Sequence, residues 1–172
     1  MAFMSVDLIP GVHEQVTTAG ERATLEAFLD HYRSEIISKV DGVSDADARR
    51  RLVASPTTLI GLVKHVAAVE RSWFQRCVGQ RPAEEISGYA VGDEPSWQVG
   101  PDETVADVIA EFSEACAASR RVAAELDLDD TVPHERLGRV SLRWVYVHMI
   151  QELARHAGHA DILREQIDAT TD

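Results

Sequence analysis

The sequence predicts an all-α fold, a four-helix bundle with long crossover loops, occupying residues 1–172 as a single domain. Three observations carry this expectation. Four long stretches place apolar side chains at alternating steps of three and four, the spacing of one face of a helix. Two substantial breaks separate the last three of these stretches, as a bundle requires when sequential helices are not neighbours. The chain's 172 residues suffice for one real core and are too few for two comfortable domains.

Residues 1–20 have no sustained period, and Pro10 and Gly11 break any early helix, so an irregular N-terminal arm is expected, with His13 lacking an evident partner. The first long helix begins at Glu21 with the stripe Leu25, Phe28, Leu29, Tyr32, Ile36 and Val40, and stops at Asp41 and Gly42. His31 sits beside that stripe and reads as a partly exposed surface residue. Ser44 reads as the N-cap of a short helix running through Leu52. Ser55, Pro56 and Thr57 start the second long helix, whose core stripe is Leu59, Leu62, Val66, Val69 and Trp73, ending at Cys77 before Gly79. His65 leans toward the same interior, whereas Glu70 is less well aimed and reads as solvated or at best as an acceptor for a ligand's ring.

Residues 79–103 form one long break with Pro82, Pro95 and Pro101. Tyr89 and Trp97 within it argue for an ordered loop that packs over something, as crossover, as lid or as both. The third long helix, residues 102–126, turns Val105, Val108, Ile109, Phe112, Cys116 and Ala123 inward and offers no ligand to the core. Residues 127–140 form a second loop with a short extended piece at its end and an exposed His134.

Composition excludes several classes of function. A net charge of −12 argues against nucleic acid, whose phosphates select clustered Lys and Arg, and against an anionic membrane surface. No apolar run is long enough to span a bilayer and the N-terminus lacks signal-peptide character, so a cytoplasmic protein is expected. Cys77 and Cys116 form no C-x-x-C pair and read as small buried hydrophobes.

The last helix, residues 141–167, carries the chemistry. Leu142, Val145, Met149, Leu153, Ala160, Leu163 and Ile167 make its apolar stripe, and His156 occupies a slot in it. His148, His159, Glu152 and His156 fall within roughly 80° around the axis. Polar groups aimed at a core cost free energy unless paired or metal-bound, and ligands at i, i+4 point the same way one turn apart. The His148–Glu152, Glu152–His156 and His156–His159 pairs compete, because they cannot all serve one ion, and the separation of about 12 Å between His148 and His156 along the axis is an awkward span around a metal. Periodicity favours pairs that contain His156. The alternative is a buried hydrogen-bond network in which Glu152 holds one or two histidines.

The segments LIGLVKHVAAVE and W-x-x-x-H-M-I-x-E-x-A-R-H-A-G-H-A-D-x-L-R-E resemble the DinB-like superfamily, and within it the branch of mycothiol-dependent maleylpyruvate isomerase and related thiol S-transferases. The resemblance runs from the first long helix to Ile167. It implies a four-helix bundle holding a divalent metal through one histidine of the second helix and two ligands four residues apart on the last, here His65, Glu152 and His156. Many relatives have histidine in place of Glu152, whereas the mycothiol-using branch resembles this chain in its carboxylate. His159 stands where many relatives have glutamine.

The resemblance implies a low-molecular-weight-thiol S-transferase or thiol-dependent isomerase, with zinc as the first expectation and nickel or iron as alternatives. The metal would activate the thiolate of a mycothiol-type cosubstrate against a small electrophile. Arg143, His148, His159 and Trp97 are the expected contacts to that cosubstrate or substrate. A non-catalytic, stress-related metal-binding bundle and a metal-dependent hydrolase are the rival readings. An exposed helix face could pair two copies as a homodimer.

Overall fold

The computed structural model of the chain describes residues 11–170, and it is mostly helical. Its long helices are α1 (Glu21–Val40), α3 (Leu59–Glu70), α4 (Val105–Ala123) and α5 (Leu142–Asp168), with a short α2 at Asp45–Ala48. A π-helical segment, Arg71–Val78, continues α3. Helix α1 packs along α5 and α3 along α4, while α3 also meets α5 and α1. The one sheet among the described residues is a hairpin of β1 (Thr131–His134) and β2 (Gly138–Ser141), paired antiparallel with Val132 opposite Val140. No described helix is long and apolar enough to cross a membrane.

The apolar stripes meet in one core built on Leu29, Ile36, Leu62, Val66, Phe112, Met149 and Leu153, all fully buried. Every member of the α5 stripe is buried, His156 included. Capping fixes the helix starts: the Ser44, Thr58, Thr104 and Ser141 hydroxyls each accept from a backbone N–H three residues on. At Thr104 the bond is reciprocated, since Asp107 Oδ2 accepts from the Thr104 backbone N–H at 2.9 Å.

Several expectations are corrected. The second long helix starts after Thr58, so Pro56 lies outside its first turn. The short helix ends at Ala48, and the Arg49 side chain turns away to donate to the Gly100 and Glu103 carbonyls at the far end of the long loop. The expected arm lies outside the described residues over 1–10. Within 11–20, Val12–Val16 form a 3-10 helix, and His13 packs its ring 3.9 Å from His31 and 5.2 Å from Phe28.

Glu70 is neither solvated nor a partner for a ligand histidine. It is fully buried, where its two oxygens accept from Arg33 Nε at 2.8 Å and Nη2 at 2.7 Å. A bidentate pair of this geometry satisfies both ions, and removing one partner would leave the other charged in the core. Arg33 also donates to Asp30 Oδ1 at 2.8 Å, which ties the buried pair to the surface. His134 is half-buried, because the hairpin folds onto the π-helical segment and stacks this ring 5.2 Å from Trp73.

The long loop is ordered by its own contacts. Ile86, Ala90 and Ser96 are buried, and short 3-10 turns at Ala83–Glu85 and Glu94–Trp97 carry its chain direction. Its end is held by Arg49 and by an ion pair of Lys64 with Glu103.

Candidate metal centre and adjoining pocket

Helix α3 supplies His65 and helix α5 supplies Glu152 and His156, one turn apart. Each offers one ligand atom, and these atoms all lie within 4.8 Å of one another. His65 and His156 are buried, while the Glu152 side chain retains 17% exposure. The His156 Nε2 to Glu152 Oε1 distance is 3.2 Å. Ligand atoms on a tetrahedral zinc with bonds near 2.1 Å stand about 3.4 Å apart, so this pair already has the spacing that a small divalent cation requires.

The loop decides how His65 presents its ring. Ser96 Oγ lies 2.7 Å from His65 Nδ1 and donates its own proton to the Asp93 carbonyl. A hydroxyl has one proton, so with that proton committed to Asp93 the serine oxygen must accept from Nδ1–H. His65 is thereby held as the Nδ1–H tautomer with a free lone pair on Nε2, the arrangement that metal-binding histidines use. Trp97 covers the ring, stacked at 4.0 Å between centroids and 12° between planes.

The stack needs Gly61, one turn before His65. A Cβ there would meet the Trp97 carbonyl oxygen at 2.9 Å, so only glycine lets the loop backbone approach this closely.

Electrostatics favour neutral imidazoles. Burial pushes the His65 pKa down to about 4, with His156 adding to the effect, and burial also lowers that of His156 despite the nearby Glu152 carboxylate. Both rings are then deprotonated at neutral pH, as metal ligation requires. His156 Nδ1 is buried with no hydrogen-bond partner among the described residues. Two neutral imidazoles, one carboxylate and a position left open fit a catalytic zinc-type centre.

A cavity of about 490 Å³ opens beside the triad and shares Glu152 with it. Its walls come from the π-helical segment, the hairpin, residues 91–93 of the loop, and His148. Three rings, His148, Trp73 and His134, are ranked along it, and Trp144 backs the first of them. Trp144 stacks on His148 at 5.0 Å, His148 lies 4.4 Å from Trp73, and Trp73 stacks on His134. Burial holds His148 below the ordinary imidazole range. Cys77 also lines the cavity, and burial raises its thiol pKa, so it is not a thiolate at neutral pH.

The expected contacts are therefore dispersed. Trp97 lies on His65, and His148 lies in the cavity wall one turn from Glu152. His159 is exposed rather than turned to the core, reaching only the edge of His156 at 5.7 Å. Arg143 is not brought to this group at all: Glu21 and Asp129 hold its guanidinium at the start of α5. Ser96, Asp93, Trp144 and His134 are residues that periodicity passed over, because three of them lie in loops or the hairpin. Only Trp144, four residues before His148, carried a helical signal.

Residues 24–169 match the family model described as mycothiol-S-transferase. No curated protein matches the chain. The family match spans the long helices and both segments that hold the triad, and the chain belongs to the mycothiol S-transferase family.

Proposed function

We propose that this protein is a metal-dependent S-transferase, or a thiol-dependent isomerase, that uses a mycothiol-type low-molecular-weight thiol against a small electrophile. In this reading the chain is one DinB-like four-helix bundle acting in the cytoplasm, and His65, Glu152 and His156 are its metal ligands. Zinc suits the two imidazoles and one carboxylate, and nickel and iron suit imidazole as well. When bound, such a cation would accept the thiol sulfur and lower its pKa toward neutrality.

The chain's own residues supply the rest. Ser96 orients the His65 ring and Trp97 shields it from water. The carboxylate of Glu152 offsets part of the cation's charge and faces the cavity where an electrophile would lie. The wall of His148, Trp73 and His134 offers a polarizable surface beside it, with Trp144 stacked behind His148. The single observation that carries the reading is the convergence of the three ligand atoms within 4.8 Å, with His65 locked in the ligating tautomer.

The test is consumption of iodoacetamide by the zinc-loaded protein with and without mycothiol. Thiol-dependent loss of the electrophile that chelation abolishes is the expected result. Thiol-independent ester cleavage would identify a hydrolase instead. Absence of both, with metal bound, would leave a non-catalytic metal-binding bundle.

A further inference from the structure

Most arginines of this acidic chain are engaged. Among the described residues only Arg51, Arg76, Arg121 and Arg136 have guanidinium groups without a hydrogen bond or ion pair, whereas Arg22, Arg33, Arg49, Arg71 and the others are all held. Two of the four, Arg76 and Arg136, line the same cavity beside Glu152. They come to it from different elements, Arg76 from the π-helical segment and Arg136 from the turn of the hairpin. The Trp73–His134 stack and the bond from Gln80 Nε2 to the Pro133 carbonyl at 3.3 Å hold those elements together.

The acids of the same cavity are differently placed. Asp93 accepts from the Tyr89 hydroxyl at both oxygens, and Glu152 is engaged by His156 and Arg155. Glu135 alone among them is unpartnered. The unpaired charged groups of the wall are thus two guanidinium forks against one carboxylate, and a guanidinium fork is matched in shape by a planar carboxylate.

We propose that this cavity is an anion subsite, in which Arg76 and Arg136 take the carboxylate of a reactant while its reacting end lies toward Glu152. The proposal rests on the transferase reading for the identity of the reactants but not for the binding itself. The chemistry it selects is a carboxylated electrophile or a carboxylated thiol. In the alkylation used as probe, the thiolate sulfur attacks the methylene carbon of iodoacetate. A C–S bond forms, the C–I bond breaks and iodide leaves.

Binding is measured first, by quenching of tryptophan fluorescence on titration with benzoate and with benzamide, because Trp73 lines the cavity. Wild type is expected to bind benzoate saturably, and the Arg76→Gln, Arg136→Gln double variant to lose roughly tenfold or more in affinity, with benzamide unaffected. Benzoate binding that is absent in wild type, or undiminished in the double variant, overturns the subsite whether or not the protein turns anything over.

Turnover then assigns the carboxylate to a reactant. A loss in kcat/KM of about tenfold for iodoacetate but not iodoacetamide, at fixed mycothiol, places it on the electrophile. The same selective loss for mercaptoacetate but not mercaptoethanol, at fixed iodoacetamide, places it on the thiol. Equal losses for charged and neutral members of both pairs overturn the proposal. No turnover of any pair, with benzoate binding intact and arginine-dependent, refutes the transferase reading and leaves the subsite standing.

Discussion

Replacing Ser96 by alanine isolates the contribution of the loop to the candidate metal centre without touching a ligand. The residue is 2% exposed, and its hydroxyl accepts from His65 Nδ1–H at 2.7 Å and has its proton committed to the Asp93 carbonyl. Its removal leaves a buried ring N–H without an acceptor, which costs about 1–3 kcal/mol, and frees the ring to adopt the other tautomer. Loss of such an orienting partner typically lowers metal affinity about 10- to 100-fold, or roughly 1.4–2.8 kcal/mol. Competition with a chelator of known affinity measures the change, and ¹⁵N resonances of the His65 imidazole report the tautomer. We expect the wild-type ring to carry its proton on Nδ1 and the variant to bind zinc about 10- to 100-fold more weakly. An affinity within about threefold of wild type, or a wild-type ring protonated on Nε2, would refute the orienting role.

Three further outcomes follow from the same geometry. Glu70→Gln leaves Arg33 as a buried charge without its bidentate acceptor, and urea unfolding should register a loss of about 3–5 kcal/mol; a loss below about 1 kcal/mol would mean that the pair behaves as a surface one. The metal-free protein should be destabilised by acid through His65, whose folded pKa of about 4 lies below the ordinary 6.5. The unfolded chain binds the proton first, so this stabilisation is complete above pH 6.5 and is lost as pH falls toward 4, amounting to at most about 3 kcal/mol. Denaturant midpoints of the His65→Ala variant should lack that part of the slope. Gly61→Ala drives a methyl into the Trp97 carbonyl and should lift the loop from His65, which tryptophan fluorescence and weaker zinc binding would register; unaltered values of both would show that the loop does not need that approach.

The helices were legible because burial imposes a period. The α5 stripe from Leu142 to Ile167 was readable residue by residue, and each member is buried. The pairing of Glu152 with His156 was readable for the same reason, as i, i+4 spacing is a local property. His65 could be joined to the α5 cluster from its lean toward the interior, but choosing Glu152 and His156 over the other pairs as its partners required the family resemblance. What escaped was non-local. Glu70 looks solvated until Arg33, on another helix, is seen against it. Ser96 and Trp97 lie in a loop whose sequence has no period, so a tryptophan there indicates packing but not upon which ring. His159 shows the limit of angular arguments: it shares the sector of His148 and Glu152, yet it is exposed while Ala160 and Leu163 beyond it are buried.

The central claim is that His65, Glu152 and His156 together hold one divalent cation. Elemental analysis of the protein purified without added metal, beside the His65→Ala, Glu152→Ala and His156→Ala variants, tests it most directly. The account predicts close to one equivalent of zinc, nickel or iron in the wild type and its loss in each folded variant. A wild-type protein that carries no metal and takes up none on titration would contradict it, and would reduce the triad to a buried hydrogen-bond network.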